Sequence, residues 1–155
     1  HDKNLFFLIP AANTKLASMI KGLEGINQIP HQLSIGSAQD FLSISSISIV
    51  TSGTASLESA VLKSIPIICY KTNKLNYAIL SRLIKTPFIG LPNLLIQKHI
   101  FPELIQNNLS IETITSSFNK IDLHPELYQS HISEINNSMT GEGFKAAATA
   151  IKNKL

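Results

Sequence analysis

The sequence predicts an α/β fold: a Rossmann-like parallel sheet with helices on both faces. Two apolar runs, Ile47 to Val50 and Ile65 to Tyr70, have the composition of strands buried inside a sheet. Such runs alternate with segments of helical periodicity, the pattern of parallel strands joined by crossover helices. A small glycine-containing turn, Ser52-Gly53-Thr54, joins the end of one run to the start of a helix. Ligands bind at that kind of junction in open α/β sheets.

The elements follow in order. The first strand spans Leu5 to Ile9 and is ended by Pro10. The next helix takes Asn13 or Thr14 as its N-cap, places Leu16, Met19, Ile20 and Leu23 on one face, and stops at Gly22 and Gly25. Gln32 to Ile35 is a short strand, and Ser37 caps a brief helix through Phe41 and Leu42. Strand 47–50 leads through the turn into a helix from about Ala55 to Lys63. Strand 65–70 tolerates Pro66 near its start. An amphipathic helix runs from Asn76 to Lys85, with Tyr77, Leu80 and Ile84 on one face, and Pro87 ends it. Phe88-Ile89-Gly90 reads as a short strand leading into Leu91-Pro92-Asn93. A helix after Pro102 carries Leu104 and Ile105. Another, capped by Ser110, runs from Ile111 to about Phe118. The tail from about Pro125 to Leu155 is helical in two pieces, broken at Gly141-Glu142-Gly143. The expected organisation is a partial Rossmann-like domain over 1–122 and a helical tail over 123–155 packed on it.

With 155 residues, 44% hydrophobic and only 15% charged, the chain can bury a core of useful size. Mean hydropathy is +0.17, high for a free-standing domain, so either the chain buries much of itself or some apolar surface belongs against a partner. The net charge of +3 comes from scattered residues with no Lys/Arg run, which argues against nucleic-acid binding and suits an anionic small ligand or an anionic membrane surface. The one cysteine, Cys69, lies in an apolar strand and reads as a core thiol, so neither a disulfide nor a zinc framework forms within the chain. No apolar stretch is long enough to cross a bilayer. The first residues run almost at once into a strand, as in a chain that starts in mid-fold.

The stretch Val50-Thr51-Ser52-Gly53-Thr54-Ala55-Ser56-Leu57-Glu58 carries the most chemistry. A helix start offers free backbone N–H groups, here beside two hydroxyls and a carboxylate, an arrangement suited to a phosphorylated sugar. The plain alternative is an ordinary strand-to-helix turn capped by Ser or Thr. Glu58 lies four residues after Thr54, the wrong spacing for a capping box, and either meets ribose hydroxyls or interacts with the helix dipole. Tyr70 and Lys71 end a strand at the carboxyl edge, where Lys71 meets phosphate or solvent. Asn93 follows a proline and either bridges a phosphate or sugar hydroxyl or serves the turn. Arg82 reads as a surface residue. The histidines at 1, 31, 99, 124 and 131 show no metal spacing and no triad.

The linked pieces Thr51-Ser52-Gly53-Thr54-Ala55-Ser56-Leu57-Glu58, Pro66 with Tyr70-Lys71, Leu80-Ser81-Arg82-Leu83-Ile84-Lys85-Thr86-Pro87, Leu91-Pro92-Asn93-Leu94-Leu95 and Pro102-Glu103-Leu104 resemble, in order, the lipid-A-disaccharide synthases. These are glycosyltransferases of the two-domain GT-B type. The resemblance covers Val50 to Gln106. Pro10-Ala11-Ala12-Asn13 also looks like a strand end of that family, and the tail fits its final helix loosely. It implies the later part of a C-terminal nucleotide-sugar domain, with Ser52, Gly53, Thr54, Glu58 and Asn93 binding UDP and Tyr70, Lys71 and Lys98 as further phosphate contacts. Such enzymes transfer a diacylated glucosamine from its UDP ester to a diacylated glucosamine 1-phosphate at the cytoplasmic face of the inner membrane of Gram-negative bacteria. The implied partners are the UDP-diacylglucosamine donor, the lipid acceptor, the inner-membrane surface and a second copy of the chain; no nucleic acid, cofactor or metal is expected. The general base belongs to the N-terminal domain, so no catalytic residue is assigned.

Two departures stand out. Where the family often carries a Gly-Arg-Glu-like run, this chain has Gln97, Lys98 and His99. Lys98 keeps the charge but lacks the planar fork that grips phosphate bidentately. The family's upstream Leu-Pro-Gly-Ser-Arg loop is missing, since the chain begins beyond it. Two other readings stay open: another GT-B enzyme of UDP-GlcNAc, transferase or epimerase, or a non-catalytic α/β module whose apolar excess marks an interface.

Overall fold

The computed structural model describes residues 5–51, 53–72 and 88–140. All strand pairs are parallel, and the strands form two sheets in two compact units, His1–Ser45 and Ser46–Leu155. The expected boundary at 122/123 falls inside the second unit.

In the first unit, β1 (Phe7–Ala11) pairs with β2 (His31–Ile35), from Phe7 opposite His31 to Ala11 opposite Ile35. Pro10 does not end β1; it lies within the strand, exposed and opposite Ser34. Proline is compatible with a strand whose neighbour on one side is absent, because its missing donor then costs no ladder bond. Helix α1 (Thr14–Lys21) starts where Asn13 Oδ1 accepts the Leu16 N–H at 2.9 Å and ends at Gly22. Its expected apolar face is largely exposed: Met19 and Leu23 are each 60% accessible, and only Ala17 of the helix is buried. Helix α2 (Ala38–Ile44) follows Ser37, whose hydroxyl bonds to Ser34 Oγ at 2.8 Å instead of capping the helix. The small core of this unit holds Ala11, Ala17, Ile26 and Phe41.

In the second unit the sheet order is β3-β4-β5, with β3 (Ile47–Val50), β4 (Ile65–Tyr70) and β5 (Glu103–Ile105). Four consecutive residues of β4, Ile65 to Ile68, are buried. Because successive side chains point to opposite faces, both faces of this central strand are covered. β3, expected to be buried, stands at the end of this strand order among the described residues, and its Ile49 is 56% exposed. Helix α3 (Thr54–Val61) packs on β4, and its contact with β3 runs through hydroxyls. Ser48 and Ser59 share a hydrogen bond, and Ser59 Oγ also donates to Ser64 O at 3.0 Å. All three serines are buried.

The segment after residue 87 departs most from expectation. Phe88-Ile89-Gly90 forms no strand, Leu91–Ile96 forms a helix (α4) with Pro92 in its first turn, and Glu103–Ile105 is a strand instead of a helix. Proline fits the first turn of a helix because no N–H is needed there. Helix α5 (Ile111–Leu123) runs a turn longer than expected and opens with a capping box: the Ser110 hydroxyl accepts the Thr113 N–H at 3.3 Å while Thr113 Oγ1 accepts the Ser110 N–H at 3.0 Å. Helix α6 (Glu126–Thr140) is the first piece of the expected tail, and its Tyr128, Ile132 and Ile135 enter the core beside Ile68, Phe101 and Ile121. The spacing of four and three puts the three residues on one stripe. The expected helix 76–85, Arg82 within it, and the tail beyond 140 lie outside the described residues.

Candidate functional site

Parallel strands end at a common rim. Val50 lies opposite Ile68 and Tyr70 opposite Ile105, so the segments that follow β3, β4 and β5 emerge side by side at the carboxyl edge of the second unit's sheet. Lys71 and Gln106 directly follow β4 and β5, and Gly53 comes three residues after β3.

At the β3 end the backbone of Gly53 has φ 95° and ψ −146°, a conformation essentially reserved for glycine. A Cβ built there would meet nothing within 4 Å, so the torsion and not crowding demands glycine, and the space above it is open. Gly53 is the N-cap of α3, and among the described residues no side-chain cap is bonded to the helix start. Ser56 turns its hydroxyl back onto the Gly53 carbonyl at 2.8 Å, and its own N–H reaches the same oxygen at 3.3 Å. Thr54, first in the helix, is exposed; Glu58, one turn further, is half-buried. Ser52 lies outside the described residues.

At the β4 end Tyr70 is half-buried and Lys71 exposed. Sequence reading gave no role to Gln106, which follows β5. Its side-chain amide clamps Thr72: Oε1 accepts the Thr72 N–H at 2.8 Å and Nε2 donates to the Thr72 carbonyl at 3.0 Å. Gln106 holds a left-handed backbone, φ 53°. No local signal in the sequence marks it, since its partner is 34 residues away.

Asn93 is placed differently from the expected ligand contact. It is fully buried, and its amide makes four hydrogen bonds inside the protein. Nδ2 donates to Phe101 O and to Glu103 Oε1, each at 2.8 Å, while Oδ1 accepts the N–H groups of Ile100 at 3.1 Å and Phe101 at 2.9 Å. An amide has two donors and two acceptor lone pairs, so none is left to bridge a phosphate in this arrangement. Glu103 completes the bracket: its carboxylate also accepts the N–H groups of Ile89 at 2.9 Å and Gly90 at 3.1 Å. These donors belong to the segment expected as a strand, and the carboxylate sits where the helix dipole of α4 favours negative charge. Gly90 is there for space: a Cβ would fall 2.3 Å from Ile68 Cδ1. The motifs Leu91-Pro92-Asn93 and Pro102-Glu103-Leu104 are thus two halves of one hydrogen-bonded brace. Lys98 is exposed and pairs with Glu134 on α6 at 3.2 Å.

The remaining reactive groups are quiet. Cys69 is half-buried against the core, and burial pushes its thiol pKa up, away from the nucleophilic thiolate. Tyr128 is likewise raised by desolvation. His31 and His131 bond through Nδ1 to the nearby carbonyls of Ile29 and Leu127, each at 3.0 Å, and His124 faces Glu126 at 3.4 Å on the surface. Among the described residues no cluster of three or more His, Cys, Asp or Glu side chains is placed to hold a metal ion, and no helix is long and apolar enough to cross a membrane.

Comparison with known proteins agrees with the motif series. The family model described as lipid-A-disaccharide synthetase matches residues 1–150. The chain is 37% identical over 126 residues to the lipid-A-disaccharide synthase of Cellvibrio japonicus, covering 81% of this chain and 33% of the relative. It is 31% identical over 154 residues to that of Alcanivorax borkumensis, covering 97% of this chain and 40% of the relative. With the Saccharophagus degradans enzyme it shares 37% identity over 117 residues, 75% of this chain and 30% of the relative. The chain thus spans between about a third and two-fifths of the curated relatives it matches.

Proposed function

The chain belongs to the lipid-A-disaccharide synthetase family, and from that premise we propose that it is the UDP-holding part of a glycosyltransferase of lipid A synthesis. The whole enzyme, in this reading, transfers 2,3-diacylglucosamine from its UDP ester to an acceptor hydroxyl of 2,3-diacylglucosamine 1-phosphate. The bond from the sugar's anomeric carbon to the diphosphate breaks, a β-glycosidic bond forms, and UDP leaves with the electron pair. The acceptor's proton passes to a base outside these residues, and the enzyme works at the cytoplasmic face of the inner membrane.

One observation carries the assignment to this region. At the rim of a parallel sheet, a glycine in a glycine-only conformation opens a helix to which no side-chain cap is bonded among the described residues. Negative charge grows on the diphosphate as the donor bond breaks, and donors fixed beforehand towards that charge lower the barrier. The N–H groups at Gly53 and Thr54 serve this purpose, with the Thr54 hydroxyl beside them and Ser52, next in sequence, as a further contact. The dipole of α3 adds about 0.3–1 kcal/mol for an exposed anion. Glu58 accepts the ribose hydroxyls, and Lys71 and Tyr70 approach the phosphates from the neighbouring strand end. Lys98 reaches a phosphate only by leaving Glu134, an exposed pair whose loss costs little. Asn93 acts through the brace as a positioning residue.

Calorimetric titration with UDP tests this. Binding is expected, weakened about tenfold by Glu58→Ala through loss of a charge-assisted hydrogen bond. Absence of both heat and chemical-shift change on adding UDP overturns the reading.

A further inference from the structure

We infer that Gln106 is a positioning residue that presets the Tyr70–Thr72 segment for the phosphates of the nucleotide. This rests on the reading of the rim as a UDP site. The clamp on Thr72 uses both polar ends of the Gln106 amide, one as acceptor at 2.8 Å and one as donor at 3.0 Å. Such a pair reads the N–H and carbonyl of one residue as a neighbouring strand would, yet it occurs just beyond the ends of β4 and β5, where the ladder has stopped. Lys71 is therefore pinned on both sides: Tyr70 is paired opposite Ile105 in the sheet, and Thr72 is held by the clamp. The exposed lysine keeps its freedom beyond its own Cα, while the backbone that aims it is already ordered. Ordering a loop before binding removes that cost from the binding step.

The backbone of Gln106 supports the same conclusion. Its φ of 53° lies in the left-handed region, which a residue with a Cβ occupies at a cost. Glycine or asparagine would sit there with less strain, but neither side chain reaches Thr72. The long amide earns its place through what it holds.

The experiment titrates the intact protein, Gln106→Gly and Gln106→Asn with UDP and, separately, with uridine. Both substitutions tolerate the left-handed backbone and both break the clamp, so either suffices if the other fails to fold. The expected result is a loss of UDP affinity of about tenfold with uridine affinity unchanged, together with faster amide hydrogen exchange at Thr72. A merely structural clamp would lower the melting temperature and either spare both ligands or weaken them alike. UDP affinity equal to wild type, or equal losses for UDP and uridine, overturns the inference. A wild-type protein that binds neither ligand overturns the reading of the nucleotide site, and the inference falls with it.

Discussion

Gly53 and Asn93 both stand at the opening of a short helix, Gly53 as the N-cap of α3 and Asn93 in the first turn of α4, and their hydrogen-bond settings differ. Around Asn93 every polar atom of the side chain has a protein partner, and the Glu103 carboxylate takes up the loop's own N–H groups. At Gly53 no side-chain cap is bonded to the helix start among the described residues, the next residue is exposed, and the backbone torsion, not crowding, demands glycine. A loop whose polar atoms are all engaged holds a shape. The proposed nucleotide contact rests on the second kind of junction, where a glycine-only backbone and an exposed residue stand at a sheet rim.

Substitutions can break this contrast, and the largest effect belongs to the brace. Asn93→Ala should destabilise the protein by about 3–5 kcal/mol, because it strands several buried backbone groups together. Urea unfolding measures it; a loss below about 1 kcal/mol would mean that the brace is not what holds the loop. Gly53→Ala should cost about 1–3 kcal/mol from backbone strain alone and also abolish the turn's affinity for UDP. Melting and titration together separate the two effects, and a variant that melts normally and binds UDP normally would remove Gly53 from the site. Lys98→Ala should change stability by less than about 0.5 kcal/mol, since its ion pair is half in solvent. The same variant sharpens the site's outline: a marked drop in UDP affinity would bring Lys98 into it. The smallest effect is with pH. Burial raises the Cys69 thiol and the Tyr128 phenol above their ordinary values. Each is an acid kept neutral in the folded state, so the unfolded chain loses its protons first. Stability from these groups is constant through neutral pH and falls as pH rises past the ordinary thiol range and then the phenol range. Unfolding titrations from neutral to alkaline pH check the sign.

Much of the second unit was legible. The strands 47–50 and 65–70 are where the apolar runs place them, and the Ser110 cap follows from its hydroxyl. Both signals are local. The segment 88–105 was misread because its elements depend on distant partners. Ile89 and Gly90 look like a strand, but their N–H groups go to a carboxylate 13 or 14 residues on. Leu104 and Ile105 could serve a helix as well as a strand, and pairing with Cys69 and Tyr70 decides it. Asn93 was singled out, but whether an asparagine faces ligand or core is set by burial, which spacing does not encode. Nothing local marks Gln106, because its partner, the backbone N–H and carbonyl of Thr72, is 34 residues away. The apolar stripe of α1 has the right periodicity for burial, yet Met19 and Leu23 remain exposed among the described residues.

The serine contacts between α3 and the strands beneath it bear on all of this. A methyl group accepts any neighbour and lets a helix slide or roll; a hydroxyl accepts only a partner at the right angle. By meeting β3 through Ser48 and Ser59, and the following loop through the Ser64 carbonyl, α3 is keyed in rotation as well as position. The direction in which its first N–H groups point is thereby fixed from behind, by groups no ligand ever touches.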